Sequence, residues 1–261
     1  MLRFLRHMRK NLLENGHIQK YVWYALGEIL LVVVGILVAL QLDEWKTARE
    51  NQALANDYEE LLILDLESDV RMLKELKEDS EFKHENAQKL MRVFNKETSV
   101  FEDSLSIMIA IQDIGRSNSP EFRNNTYNDL VNTGNIQLFK DREMIDVLMT
   151  YYTTDFSDWL DEYIHRLWRE YLPVAIDILP SSFLEELVYM DMIDEEIKHY
   201  SEIVNYSPDM ANSVIQKFQN TQEMDFLLKS ISRTHLVHIF FLNRTIERAE
   251  EAISVMEKQA D

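Results

Sequence analysis

The stretch YVWYALGEILLVVVGILVALQL, residues 21 to 42, decides the reading of this chain. It is interrupted by one ionisable group, Glu28. About 20 apolar residues in a helix cross a hydrocarbon core of about 30 Å, so the run predicts a transmembrane helix. Tyr21, Trp23 and Tyr24 at its start and Trp45 just past its end match the aromatic belts of the two membrane interfaces. A cleaved signal sequence has the same order of basic and apolar regions. Here the apolar run is longer, no Ala-x-Ala site follows it, and VALQLDEW (38 to 45) leads directly into more helical sequence. The expectation is an uncleaved anchor.

Charge falls unevenly on the two sides of that run. Residues 1 to 42 carry Arg3, Arg6, Arg9, Lys10 and Lys20 against Glu14 and Glu28, a net of +3, and the whole chain carries −19, so residues 43 to 261 carry −22. With cations before the span and Asp43 and Glu44 after it, the positive-inside rule predicts a cytoplasmic N-terminus and an acidic domain outside the cytoplasm. An overall charge of −19 argues against nucleic acid, whose binding needs Lys and Arg to displace counterions from phosphates. The absence of Cys excludes disulfides, thiolate metal sites, thiol nucleophiles and a lipidated cysteine.

Gly (5) and Pro (4) are scarce, which suits helices and starves the turns that sheets need, so the expected fold is all-α. The predicted organisation is a cytoplasmic basic arm at 1–20, a transmembrane helix at 21–42, a stalk helix at 43–95 and a helical bundle at 96–261 packed on the stalk. Apolar residues at Leu54, Tyr58, Leu61, Leu62, Leu66, Val70, Leu73, Leu76, Ala87, Leu90 and Phe94 keep a 3.5 to 3.6 residue spacing through the stalk. Charged residues such as Glu67, Arg71, Lys74 and Glu78 take the other faces, as in a coiled coil. Asp103 or Ser104 is expected to cap a helix reaching Ile114, and Thr126 with Asp129 to form a capping box. A further helix is expected from about Asp141 to Pro173, another from Ser181, and one capped by Ser207 with Pro208 in its first turn. Thr221 is expected to cap a last long helix from about Gln222 to Lys258, with Phe226, Phe240, Phe241, Leu227, Leu236 and Leu242 on its buried face. The long first and last helices are expected to pack antiparallel.

Two stretches carry a family resemblance. The segment YVWYALGEILLVVVGILVALQLDEW (21 to 45), after the arm MLRFLRHMRKNLL, resembles the N-terminal signature of a domain-of-unknown-function family of single-pass envelope proteins from Bacteroidota, with a Gly-Glu pair at Gly27 and Glu28. TYNDLVNTGNIQLFKDREMIDVLMTYY (126 to 152) is similar to a Gly-Asn-centred helical hairpin of the same family. The resemblance implies a Gram-negative inner membrane with the acidic domain in the periplasm. It brings no activity with it.

Chemistry has few footholds. Glu-x-x-His, the helical pair of carboxylate di-iron bundles, occurs as Glu81/His84, Glu162/His165 and Glu196/His199, but also as Glu14/His17 across the membrane. Solvated helix-face pairs explain them more simply. His235 and His238 lie one turn apart, without a carboxylate at a recognised offset, and read as a packed or surface pair. The acidic runs Asp155-Asp158-Asp161-Glu162 and Asp191-Asp194-Glu195-Glu196 lack the spacing of a calcium loop. No phosphate loop, nucleophile elbow, kinase or zinc-protease motif is present, so neither enzyme activity nor a metal or cofactor is expected.

The segment that demands explanation is the span itself. A charge at Glu28 costs at least about 2.5 kcal/mol in the membrane, so the residue is protonated, snorkelling, or paired with a partner chain. Tyr24, Glu28, Leu31, Gly35, Ala39 and Leu42 share one helical face, and Gly35-x-x-x-Ala39 is a small-residue pattern that lets helices approach closely. Glu28, Gly35, Ala39 and Tyr24 are therefore the candidate contact residues. The expected partners are the lipid bilayer and either a second copy or another membrane protein. The leading expectation is a self-associating scaffold or accessory subunit of an envelope complex. The alternatives are a periplasmic helical-bundle ligand sensor and a proton-coupled subunit using Glu28.

Overall fold

The computed structural model describes residues 18–153, 167, 169–193 and 206–260. The chain is all-α, with eight α-helices and no strand among the described residues. They are α1 (Ile18–Phe94), α2 (Ser104–Asp113), α3 (Asn125–Asn132), α4 (Arg142–Thr153), α5 (Leu172–Ile178), α6 (Ser181–Ile193), α7 (Pro208–Asn220) and α8 (Met224–Ala260). Two short 3-10 turns, Thr98–Val100 and Asn135–Leu138, join them. The chain divides into two compact units, Met1–Tyr58 and Glu59–Asp261.

In the first unit, α1 is long and apolar enough to cross a membrane, and the apolar window is not buried. The run from Leu26 to Leu42 is exposed at every position.

In the second unit, α1 continues without Pro or Gly until Phe94 and then stops sharply. Lys96 turns left-handed at φ 69°, Lys96 N–H donates to Val93 O (2.9 Å) and Glu97 N–H to Arg92 O (3.0 Å). That is a Schellman close with Lys where Gly is usual. Asp103 then caps α2 by accepting from Ser106 N–H at 2.7 Å, as expected. Ser207 caps α7 in the same way through Met210 N–H at 3.1 Å, with Pro208 in the first turn.

Helices α1 and α8 run antiparallel. Going up α1, Lys74, Ser80 and His84 meet Glu250, His238 and Ser232 in descending order on α8. Around this pair the core gathers Leu90 and Val93 of α1, Met108 and Ile111 of α2, Ala175 of α5, Phe183 of α6, Phe218 of α7 and Ile231 of α8. Phe94 and Phe218 meet edge to face, centroids 6.3 Å apart. Helix α4 packs on α8 and buries Met144, Leu148 and Tyr151.

Several local expectations are corrected. Thr126 forms no capping box: α3 starts at Asn125, and the Thr126 hydroxyl donates to Asp65 Oδ2 at 2.5 Å, a stronger use of it than a local backbone cap. Helical residues run to Glu170 and stop at a turn at Tyr171, and Pro173 stands in the first turn of the next helix, where a ring without N–H fits because no intrahelical donor is required. Thr221 closes α7, its hydroxyl donating to Lys217 O (2.8 Å), and α8 begins at Met224. Phe226 (69 % exposed), Phe240 (63 %) and Leu236 lie outside the buried face of α8, which is formed by Leu228, Ile231, His235, His238, Leu242, Thr245 and Ala249 at alternating steps of three and four. Leu54 and Leu61 of the expected stalk stripe are likewise exposed, whereas Leu62, Leu66 and Leu73 of the same stripe are buried as expected.

Candidate functional site

The candidate contact residues lie on α1 in the first unit. Tyr24, Glu28, Gly35 and Ala39 are all exposed, one to two turns apart along the helix. A Cβ built on Gly27 or Gly35 meets nothing within 4 Å. Among the described residues nothing covers this face, and the small side chains leave the backbone open to close approach by a second helix.

In the second unit, the histidines that the sequence offers as a packed or surface pair are buried at the α1–α8 seam. His235 Nε2 donates to Ile114 O at 2.8 Å, which fixes the proton on that nitrogen and leaves Nδ1 without a partner. His238 Nδ1 stands 2.8 Å from the Ser80 hydroxyl and 3.4 Å from that of Ser117, and its Nε2 also lacks a partner. Burial pushes both imidazoles down to about 4, with nearby Lys83 acting in the same direction. They are neutral at physiological pH, and the adjacent cation opposes any metal ion on their free nitrogens. Among the described residues no group of three His, Asp or Glu side chains is arranged to hold a metal.

Lys83 is only 6 % exposed, and Asp79 at 2.7 Å and Asp113 at 4.0 Å compensate it. His84 donates from Nδ1 to Ser232 O (2.9 Å) and accepts from the Gln88 amide (2.9 Å). Glu81 instead faces Lys77 at 3.7 Å, so the Glu81/His84 pair is not a ligand pair. Glu14/His17, Glu162/His165, Glu196/His199 and the acidic run from Asp155 lie outside the described residues, as does most of the run from Asp191.

A second buried polar node was not foreseen. Asp69, 1 % exposed, accepts from Tyr151 Oη at 2.8 Å and from Arg123 N–H at 3.0 Å. One turn earlier Asp65 receives Thr126. These bonds tie α1 to the 116–124 loop, to α3 and to α4. Burial raises the Asp69 carboxyl above its ordinary range, and the two hydrogen bonds oppose the rise without cancelling it. Tyr151 and Tyr152 are pushed up by the same burial and the neighbouring carboxylates, and Tyr152 stacks on Tyr127 with centroids 4.4 Å apart. The signal for this node was an Asp at a core position of the stalk stripe.

Both nodes hold elements together. The Ser80–His238 pair is buried, and among the described residues no hydrogen bond from a carboxylate orients either histidine. In comparisons with known proteins, the chain matches no family model, no curated protein and no solved structure.

Proposed function

We propose that the protein is a non-enzymatic, self-associating single-pass protein of a bacterial inner membrane, serving as a scaffold or accessory subunit of an envelope complex. Its N-terminus is cytoplasmic and its helical bundle periplasmic. The observation that carries this reading is the exposure of α1 from Leu26 to Leu42, apolar on every face but for Glu28 and, at its end, Gln41. Such a surface requires lipid or another apolar chain around it. The charge asymmetry across the span supports the orientation. The open backbone at Gly35 beside Ala39 supports a helix-helix contact in the membrane, with Glu28 satisfied there by a polar group of the partner helix.

The test is the mass of the detergent-extracted full chain by light scattering, together with alkaline phosphatase fused to its C-terminus. A multiple of the 31.0 kDa chain mass, or a stable co-purifying membrane protein, together with an active fusion, is the expected result. A bare monomer removes the association reading, and an inactive fusion removes the periplasmic one.

A further inference from the structure

Two exposed stripes run side by side on the outer face of the α1–α8 pair, both within the second unit. On α8, Arg233, Leu236, Phe240, Arg244 and Glu247 recur at steps of three and four, with Leu236 51 % and Phe240 63 % exposed. On α1, Arg71, Glu75, Glu78, Phe82 and Glu85 follow the same steps, with Phe82 56 % exposed. Glu78 stands nine residues from Ala87, and Phe240 nine from Ile231, about two and a half turns in each helix and so on its opposite side. Ala87 and Ile231 belong to one core cluster, so both stripes look out on the same side of the helix pair, away from that core. Among the described residues nothing covers them.

The charges that border the stripes are largely paired within the chain: Lys74 with Glu250, Lys77 with Glu81, Lys89 with Glu85 and Lys229 with Asp225. Arg71, Glu75, Glu78 and Arg233 have no ion-pair partner among the described residues, and Arg244 reaches Glu247 at 4.0 Å. The seam bonds set the heights of the two helices against each other. Ser80 meets His238 and His84 meets Ser232, so Phe82 is level with Leu236, Glu85 with Arg233 and Glu78 with Phe240. Carried on at the same rise per residue, Glu75 falls beside Arg244 and Arg71 level with Glu247. Height for height, each stripe is the charge complement of the other, with an apolar centre at Phe82, Leu236 and Phe240. Because both point the same way, they cannot meet within one chain.

We propose that a second copy of this chain docks on this face, related by a two-fold axis parallel to α1 and α8. Such an axis leaves every residue at its own height and lays the α1 stripe of each copy on the α8 stripe of the other, so the contact is made twice. Phe82, Leu236 and Phe240 supply the apolar surface, and the ion pairs around them fix the register. Lys89 and Lys229 are also level, each beside its own carboxylate, and mark one end of the contact. A second copy satisfies both stripes at once. An anionic surface or an acidic helix would meet Arg233 and Arg244 favourably but be repelled by Glu75 and Glu78 alongside. The inference deepens the self-association proposed above by a contact separate from the Gly35 and Ala39 face.

The chain has no Cys, so introduced thiols report without background. Full-length Glu78→Cys and Phe240→Cys chains, mixed in detergent under mild oxidation, are expected to form a mixed disulfide dimer that neither variant forms alone. In sedimentation equilibrium, Arg244→Glu is expected to raise the dissociation constant at least tenfold, and Glu75→Arg in the same chain to recover most of that loss. Helicity by circular dichroism stays unchanged, since both positions are exposed. A protein that dissociates on Gly35→Ile, yet gives no mixed disulfide and no response to Arg244→Glu, overturns this inference and leaves the membrane contact standing. A monomer at every concentration overturns both. Loss without recovery in the double variant overturns the α1–α8 pairing. So does an Arg244→Glu effect on binding to anionic phospholipid vesicles in the absence of the mixed disulfide, which would give the α8 stripe to lipid.

Discussion

The Tyr151 hydroxyl donates to the buried carboxylate of Asp69 across 2.8 Å, joining α4 to α1 at a point where water does not reach. The same carboxylate also holds Arg123 N–H, so one side chain fixes a helix and a loop together. Hydrogen bonds to a charged group contribute about 1.5–3 kcal/mol. Tyr151→Phe is expected to cost about 2 kcal/mol in urea denaturation. Asp69→Ala is expected to cost more, about 3 kcal/mol, because it leaves both the Tyr151 hydroxyl and the Arg123 amide unpaired. The two losses are expected to be less than additive in the double variant, since they share one bond. Additive losses would mean that Asp69 and Tyr151 act independently.

His235 and His238 give the fold an acid limit. Each has an ordinary pKa of 6.5 and a folded value of about 4, so between those values the unfolded chain binds protons that the folded chain refuses. Their stabilising contribution is full above pH 6.5 and is lost as pH falls toward 4. A gap of two to three units corresponds to about 3 kcal/mol for each histidine. Asp69 responds in the opposite direction: its raised carboxyl destabilises the fold at neutral pH, and protonation on acidification relieves that. Urea midpoints between pH 7.5 and pH 4.5 are therefore expected to fall steeply. His235→Leu is expected to flatten that slope by about half. An unchanged slope in this variant would mean that His235 already carries its proton in the fold.

How much of this was legible follows from one stripe. Leu62, Leu66, Leu73, Leu76, Ala87 and Leu90 gave α1 and its core face away by spacing alone. Between Leu76 and Ala87 the apolar pattern falls silent, and the same register there passes through Ser80 and Lys83, both buried. Hydrophobic periodicity cannot report a polar residue that is buried because something across the seam satisfies it. His238 satisfies Ser80 from α8, 158 residues away in sequence. Asp69 is hidden for the same reason, its partners being a phenol and a loop amide. Aromatic residues misled in the other direction: Phe226 and Phe240 are large and apolar, but the alternating register of Leu228, Ile231, His235 and His238 leaves them outside. Caps made within four residues of their helix, at Asp103 and Ser207, were readable because both partners are local. The apolar face at Gly35 and Ala39 was readable as a pattern, and the described residues leave it open.

Gly115 lies against the ring of Tyr171 with no room for a side chain between them. A Cβ on Gly115 would lie 2.4 Å from Tyr171 Cδ1. The ring cannot withdraw, because Tyr171 is 1 % exposed and its hydroxyl is bonded to Ile111 O at 2.5 Å. Gly115→Ala is therefore expected to destabilise by about 1–3 kcal/mol through overpacking. In a Tyr171→Leu background the added methyl has room, and the same substitution is expected to cost much less. Thermal denaturation of the four proteins gives the coupling directly. An equal cost in both backgrounds would move the cause from Tyr171 to the backbone of Gly115.

The membrane face yields the prediction that bears most directly on function. If helices meet at Gly35 and Ala39, a side chain larger than methyl at either position holds the backbones apart. Gly35→Ile and Ala39→Ile are each expected to shift the detergent-extracted protein toward monomer, by tenfold or more in dissociation constant, equivalent to about 1.4 kcal/mol. Val34→Ile lies on the adjacent face and serves as the control, with association unchanged. Glu28→Gln separates the roles open to the acid. Gln keeps the hydrogen-bonding capacity and loses the charge, so a Glu28 paired by hydrogen bonding in a helix contact tolerates it, and one that must ionise does not. Full association together with full function in Glu28→Gln is expected of a scaffold. Intact association with lost function would instead make Glu28 a proton-handling residue, and the helix face a positioning device for it.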